Sequence, residues 1–298
     1  MPLITMKEAL KESVEKNYAV GAFVTCDHSF SEAIARAGEE KGVPIIMMVA
    51  EVGFQFMDLE NFFPYVIERI RRSSIPIALH LDHARSYETV MKAIHFGCTS
   101  VMIDGSALRY KDNVALTKKV VEAAHAAGVS VEAELGHVAG GAGNLRDGSV
   151  VDTSMFTNPE DAARFVEETG IDALAVAFGT VHGVYRDTPK LDLRRLEDIR
   201  RSVSIPLVMH GGSGLAAEDF RNAIRCGINK VNFFTELSLA VVSAIAKAIQ
   251  EKEGYLHYPD IVSLATSKAV EVVKEHIDIF GTLRLAYGMK TGAVRDAH

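Results

Sequence analysis

The chain has no tryptophan and only three cysteines, Cys26, Cys98 and Cys226, in 298 residues. They are odd in number and far apart, so neither a disulfide framework nor a CxxC metal knuckle is expected. No basic run outweighs the acidic balance. Lys plus Arg number 32 against 39 for Asp plus Glu, a formal charge of −7. That balance argues against a nucleic-acid surface, where affinity rests on cations facing phosphate. No apolar stretch is long enough to span a bilayer, and the opening "MPLITMKEALKESVEKN" is amphipathic and charged, without a signal-peptide core. A cytoplasmic protein with no membrane partner is expected. No linker, repeat or low-complexity segment divides the chain, and residues 1–298 read as one domain.

What is present is an alternation. The chain is 48% hydrophobic and 24% charged, enough apolar residues for a large core. Short β-branched runs take turns with longer amphipathic stretches: "YAVGAF" with "SEAIARAGEEKG", "VPIIMMV" with "LENFFPYVIERIRRS", and so on to "NKVNFF" with "ELSLAVVSAIAKAIQEK". Continuous apolar strands between helices indicate a parallel sheet covered by helices. About eight such units in one chain predict an α/β fold, a (β/α)8 TIM barrel with a C-terminal helical extension. A doubly wound open sheet is the alternative, but GxGxxG is absent after the first strand. Gly42, Gly97, Gly128, Gly170 and Gly227 follow predicted helices, as C-terminal caps do.

A barrel of this kind places its chemistry at the C-terminal strand ends. Polar residues recur there. The third predicted strand ends in His80, Asp82 and His83, the fourth in Asp104, and the fifth in Glu132 and Glu134. The sixth runs into "GTVHG" with His182, the seventh ends in His210, and the eighth carries Asn232 before Thr235. Any one of these histidines, alone, reads as a hydrogen-bonded core residue. Together they suit a tetrahedral zinc site with one position left for water or substrate. Asp82 is then a general acid or base, or an orienter of a neighbouring imidazole. Asp104 and Glu134 bind a second cation or close a polar network. In "SIPLVMHGGSGLAAEDF" the glycines after His210 free the backbone to turn tightly and offer N–H groups to an anion.

The stretches "LHLDHARS", "VMIDGSAL", "VEAELGHVAGG", "TNPEDAARFVEETGIDALAVAFGTVHGVY", "LVMHGGSGL" and "GINKVNFFTEL" resemble the class II, zinc-dependent ketose-bisphosphate aldolases, among them the fructose- and tagatose-bisphosphate enzymes. The resemblance runs from about residue 19 to about residue 280. It implies reversible cleavage of a ketose 1-phosphate or 1,6-bisphosphate to dihydroxyacetone phosphate and an aldehyde, with Zn2+ stabilising an enediolate. It implies that His83, His182 and His210 hold the metal, His80 standing aside, and that Asp82 exchanges a proton with the C4 oxygen. Gly183, Gly211, Gly212, Ser213, Asn232, Phe233, Phe234 and Thr235 match the segments that hold dihydroxyacetone phosphate. Asp104 and Glu134 match carboxylates for a displaced or second metal. A sugar phosphate as partner, a homodimer or homotetramer, and a monovalent cation near the phosphate belong to the same expectation.

The sequence also departs from that family. Phe23-Val24 stands where Phe-Asn is common, and Ala50-Glu51 where a serine or threonine usually faces substrate. The loop "GHVAGGAGNLRDGSVVDTSMFTNP" lacks the glutamate that often acts as base, offering Asp147 and Asp152 instead. A sugar other than fructose bisphosphate is therefore an open expectation. Two rivals stand beside an aldolase of this class. One is a sugar-phosphate-binding subunit without turnover. The other is a Schiff-base aldolase, disfavoured because Lys230 is placed at the beginning of the last strand, away from the chemistry.

Overall fold

The computed structural model of the protein describes residues 2–140, 151–183, 185, 190–252 and 254–285. Its strands are β1 (Leu3–Ile4), β2 (Val20–Val24), β3 (Ile45–Ala50), β4 (Ile77–Ala84), β5 (Ser100–Ile103), β6 (Ser130–Leu135), β7 (Ala173–Val176), β8 (Leu207–Met209) and β9 (Ile228–Phe233). Strands β2 to β9 pair in parallel with their sequence neighbours, and β2 also pairs with β9. The sheet closes into an eight-stranded barrel, the expected (β/α)8 architecture. β1 is an addition beside β4, too short to leave a pattern in the sequence.

Two short helices, α1 (Met6–Ala9) and α2 (Ser13–Lys16), precede the barrel. Each barrel strand is then followed by one helix: α3 (His28–Lys41), α4 (Leu59–Arg71), α5 (Tyr87–His95), α6 (Tyr110–Ala126), α7 (Pro159–Thr169), α8 (Leu193–Ser202), α9 (Ala217–Arg225) and α10 (Thr235–Glu251). The C-terminal extension is α11 (Tyr258–Phe280), which packs across α3 and α10. Phe280 stacks on Phe23 at 6.4 Å between ring centres, tying the extension to the barrel wall.

The strands are apolar on both faces because both are covered. In β3, Ile45, Met47 and Val49 face the helices, whereas Ile46, Met48 and Ala50 fill the barrel interior. Met6 and Leu10 join that interior cluster, so the N-terminal segment plugs one end of the barrel. The other end is left open, and the cleft described below is found there. Among the described residues, no helix is long and apolar enough to cross a membrane.

Candidate active site

A cleft of about 300 Å³ opens at the C-terminal end of the barrel. Its floor holds Asp82 and His83 from β4, His182 from the turn after β7, His210 just past β8, and Asn232 from β9. Adjacent residues of a regular strand point to opposite faces. Asp82 and His83 nevertheless both reach the cleft, because the β4–β5 register shifts between Leu81 and Ala84 and His83 adopts φ +50°. A bulge with a left-handed non-glycine residue is strained, and such strain gathers at functional sites. His80 keeps the regular inward direction. It lies one layer lower, its Nδ1 2.6 Å from Ser100 Oγ. Burial, and then the Lys230 cation, hold His80 well below the ordinary histidine range, so it is neutral.

The three other imidazoles converge. His83 Nε2 lies 2.8 Å from His210 Nδ1 and 3.1 Å from His182 Nε2. The remaining nitrogen of each ring has its own partner. His83 Nδ1 is 2.9 Å from Asp104 Oδ2, His182 Nδ1 is 3.1 Å from the Gly140 carbonyl, and His210 Nε2 is 2.9 Å from Glu132 Oε1. With an N–H given to each of those acceptors, as metal binding requires, the three rings have one nitrogen lone pair each to aim at a common point. Lone pairs that close repel unless a cation sits among them. With no metal among the rings, burial opposes protonating His83, but Asp82, the bond to Asp104 and the charge of Glu134 outweigh it and lift the group to about 9, so a proton takes the place a metal would hold. His182, by burial and the neighbouring His83, is lowered to about 4. A three-histidine donor set with oriented tautomers fits Zn2+.

Asp104 and Glu134 stand behind His83 rather than on the cleft wall, and with it form a second convergent set. Burial raises Asp104, but the bond and charge of His83 with the Ser106 hydroxyl and N–H overcome this and hold it well below the carboxylate range. Glu134 is pushed up to about 8 by burial and by Asp104. Its Oε1 accepts the Val138 N–H at 3.0 Å, while the buried Oε2 has no hydrogen-bond partner. An acceptor stranded beside a carboxylate and an imidazole suits an alternative cation position.

The phosphate candidates line one wall: Gly183, Gly211, Gly212, Ser213, Phe233, Phe234 and Thr235, with Asn232 at the base. Gly211 has φ +68°, and a Cβ there would lie 2.3 Å from the Val181 carbonyl, so only glycine fits this turn. Tyr185 pins it, its hydroxyl donating to Gly211 O at 2.7 Å and accepting from Val181 N at 3.2 Å. Next to the turn, α10 begins without a side-chain cap, and its first residue, Thr235, lines the cleft, so the uncapped N–H groups of its first turn lie beside it. Glu236 Oε2 accepts the Gly214 N–H at 3.0 Å and joins the two segments.

Lys230 requires a correction. It is the third residue of β9 and fully buried, and its side chain runs inside the barrel beneath the cleft. Nζ lies 2.8 Å from Glu132 Oε2 and donates to Asn232 Oδ1 at 2.7 Å. The Asn232 amide then donates to Asp82 Oδ1 at 3.1 Å. The spacing of two between Lys230 and Asn232, which puts both on the inner face, was the available signal. The lysine is close to the chemistry but already ion-paired. Asp152 caps a short turn, accepting from Ser154 N at 2.9 Å, and Asp147 lies outside the described residues.

The sequence profile "Fructose-bisphosphate aldolase class-II" matches residues 4–283. The chain belongs to the class-II fructose-bisphosphate aldolase family. It is accordingly a lyase, cleaving a ketose phosphate. It is 40% identical over 285 residues to the fructose-bisphosphate aldolase of Staphylococcus aureus (strain N315), covering 95% of this chain and 98% of the relative. The fructose-bisphosphate aldolase of Staphylococcus epidermidis (strain ATCC 12228 / FDA PCI 1200) is 39% identical over 287 residues, with the same coverage. The crystal structure of the YdjI aldolase from Escherichia coli K12 superimposes with a TM-score of 0.83 at 31% identity, covering 94% of this chain and 98% of that one.

Proposed function

We propose that His83, His182 and His210 hold one zinc ion, that Asp82 is the acid–base residue, and that the Gly211–Ser213 turn with the start of α10 holds the phosphate of dihydroxyacetone phosphate. The observation that carries this reading is the convergence of three imidazole nitrogens, the far nitrogen of each ring lying within hydrogen-bond distance of an acceptor. When bound, zinc supplies a Lewis acid for the oxygens that gain negative charge as the aldol bond opens.

The chain's own residues do the rest. In cleavage the C3–C4 bond breaks, its electron pair staying with C3, while the C4 hydroxyl gives its proton to Asp82 and becomes the aldehyde. C3 then takes a proton from water and Asp82 returns its own to the solvent, completing dihydroxyacetone phosphate and restoring the carboxylate. Asp82 is suited to the first transfer because Asn232 fixes Oδ1 and leaves the carboxylate directed at the cleft. Glycine turn and helix start together fix the phosphate end, so the reacting carbons are delivered in one register.

The test is metal content against turnover. About one zinc per chain is expected, with activity lost on chelation and restored by the metal. His83→Ala, His182→Ala and His210→Ala should each lose the ion. Full activity in a rigorously metal-free preparation would overturn the reading.

A further inference from the structure

The cleft has two unlike ends. One carries the histidines, Asp82 and the glycine turn. The other is formed by the ends of β2 and β3 and the short 3₁₀ helix Glu51–Phe56, and presents Val24, Met48, Ala50, Val52, Phe56 and Met57. Among the described residues lining the cleft, none is a lysine or arginine. The polar groups near this apolar end are turned elsewhere or uncharged. Glu51 spends both carboxylate oxygens on its neighbours, accepting Arg85 N at 2.8 Å and Thr89 Oγ1 at 2.7 Å. Gln55 donates its amide to the Val52 carbonyl at 3.0 Å. Burial, with Asp27 nearby, pushes the Cys26 thiol up to about 12, so it carries no charge.

With dihydroxyacetone phosphate seated at the polar end, the aldehyde half must lie along these methyl and thioether groups. A phosphate on its distal carbon would meet no cation among the described residues there, and a distal hydroxyl would find few partners; whatever hydration either gave up would go unreplaced. An alkyl end loses nothing and buries apolar surface. We propose that this end of the cleft selects an unphosphorylated aldehyde with an apolar terminus, so that the substrate is a ketose 1-phosphate deoxygenated at its far end and not a 1,6-bisphosphate. The inference rests on the placement of dihydroxyacetone phosphate proposed above.

Three aldehydes that differ only at C3 test it: glyceraldehyde 3-phosphate, glyceraldehyde and lactaldehyde, each condensed with dihydroxyacetone phosphate by the full-length zinc-loaded enzyme. Lactaldehyde should exceed glyceraldehyde by about 10-fold in kcat/KM and glyceraldehyde 3-phosphate by about 100-fold, the scale on which apolar pockets discriminate. Val52→Arg should raise use of glyceraldehyde 3-phosphate relative to lactaldehyde by about 10-fold or more, by placing a cation at this end. Exchange of solvent deuterium into dihydroxyacetone phosphate, run without aldehyde, reports the polar end alone. Exchange together with a preference for glyceraldehyde 3-phosphate, or with equal use of all three, overturns this proposal and leaves the placement of dihydroxyacetone phosphate standing. No exchange overturns that placement and this proposal with it.

Discussion

Glu132 stands between His210 and Lys230, with Oε1 2.9 Å from His210 Nε2 and Oε2 2.8 Å from Lys230 Nζ. One fully buried carboxylate therefore orients a proposed metal ligand and, through Lys230 and Asn232, the proposed acid–base residue. Removing one member of a buried pair leaves a charge unpaired in low dielectric, at a cost of about 3–5 kcal/mol. Lys230→Met should lower stability by that amount in denaturant unfolding. Lys230→Met combined with Glu132→Gln should regain much of the stability but not the turnover, since Asn232 still lacks its anchor. A Lys230→Met enzyme with parental stability and turnover would show that the relay is idle.

Asp82 is separable from the metal. Asp82→Asn keeps the shape and a partner for Asn232 but removes the proton acceptor. Turnover should fall by roughly 10²–10⁴-fold, the usual contribution of a positioned acid or base, with zinc content unchanged. Metal analysis beside steady-state kinetics decides the matter. Lost zinc with the chemistry of the remaining holoenzyme intact would make Asp82 an orienter instead.

The barrel was legible because its signal is repeated. Buried strands such as "IIMMV" and helices that end at Gly42 or Gly170 recur along the chain, so an error at one boundary does not change the count. The site was legible as a set of strand ends but not as geometry. Nothing in "HLDH" reveals the register shift that brings Asp82 and His83 to the same side and leaves His80 below. That choice depended on the family resemblance. The position of Lys230 along the strand does not reveal its reach, because a lysine side chain extends well past its own Cα. Tyr185 carried no pattern at all; only the folded turn shows what its hydroxyl ties together.

At the opposite end of the barrel, Asp172 predicts a pH dependence of stability. Its carboxylate is almost buried and accepts from Val131 N at 2.9 Å, His125 Nε2 at 2.8 Å and Lys7 Nζ at 3.0 Å. Burial raises the group, but the Val131 N–H and then His125 and Lys7 outweigh it, holding it below its ordinary value of 3.8. A depressed carboxylate stabilises the fold above its unfolded value and stops doing so as pH falls through the folded one. Asp172→Asn should cost about 1–2 kcal/mol near neutrality, mostly from the backbone and histidine bonds because Lys7 is exposed to solvent. The gap between parent and variant should narrow below about pH 4. Unfolding curves in which the gap widens on acidification would contradict the assignment.

The phosphate wall gives the sharpest contrast between donors. Ser213 and Thr235 lie on adjacent segments of the cleft, one in the glycine turn and one at the first position of α10, and neither is a proposed metal ligand. A hydrogen bond to a charged group contributes roughly 1.5–3 kcal/mol. Ser213→Ala or Thr235→Val should therefore lower kcat/KM for the phosphorylated donor about 10- to 100-fold. Zinc should remain bound in both. Unphosphorylated dihydroxyacetone should be a very poor donor for the parent, and the two substitutions should barely alter its rate. A turn that served only to hold the loop would impair both donors alike. The comparison is made with one aldehyde at fixed concentration, so that only the donor half varies. Equal use of dihydroxyacetone and its phosphate by the parent would remove the phosphate cradle from this wall, whatever the variants did.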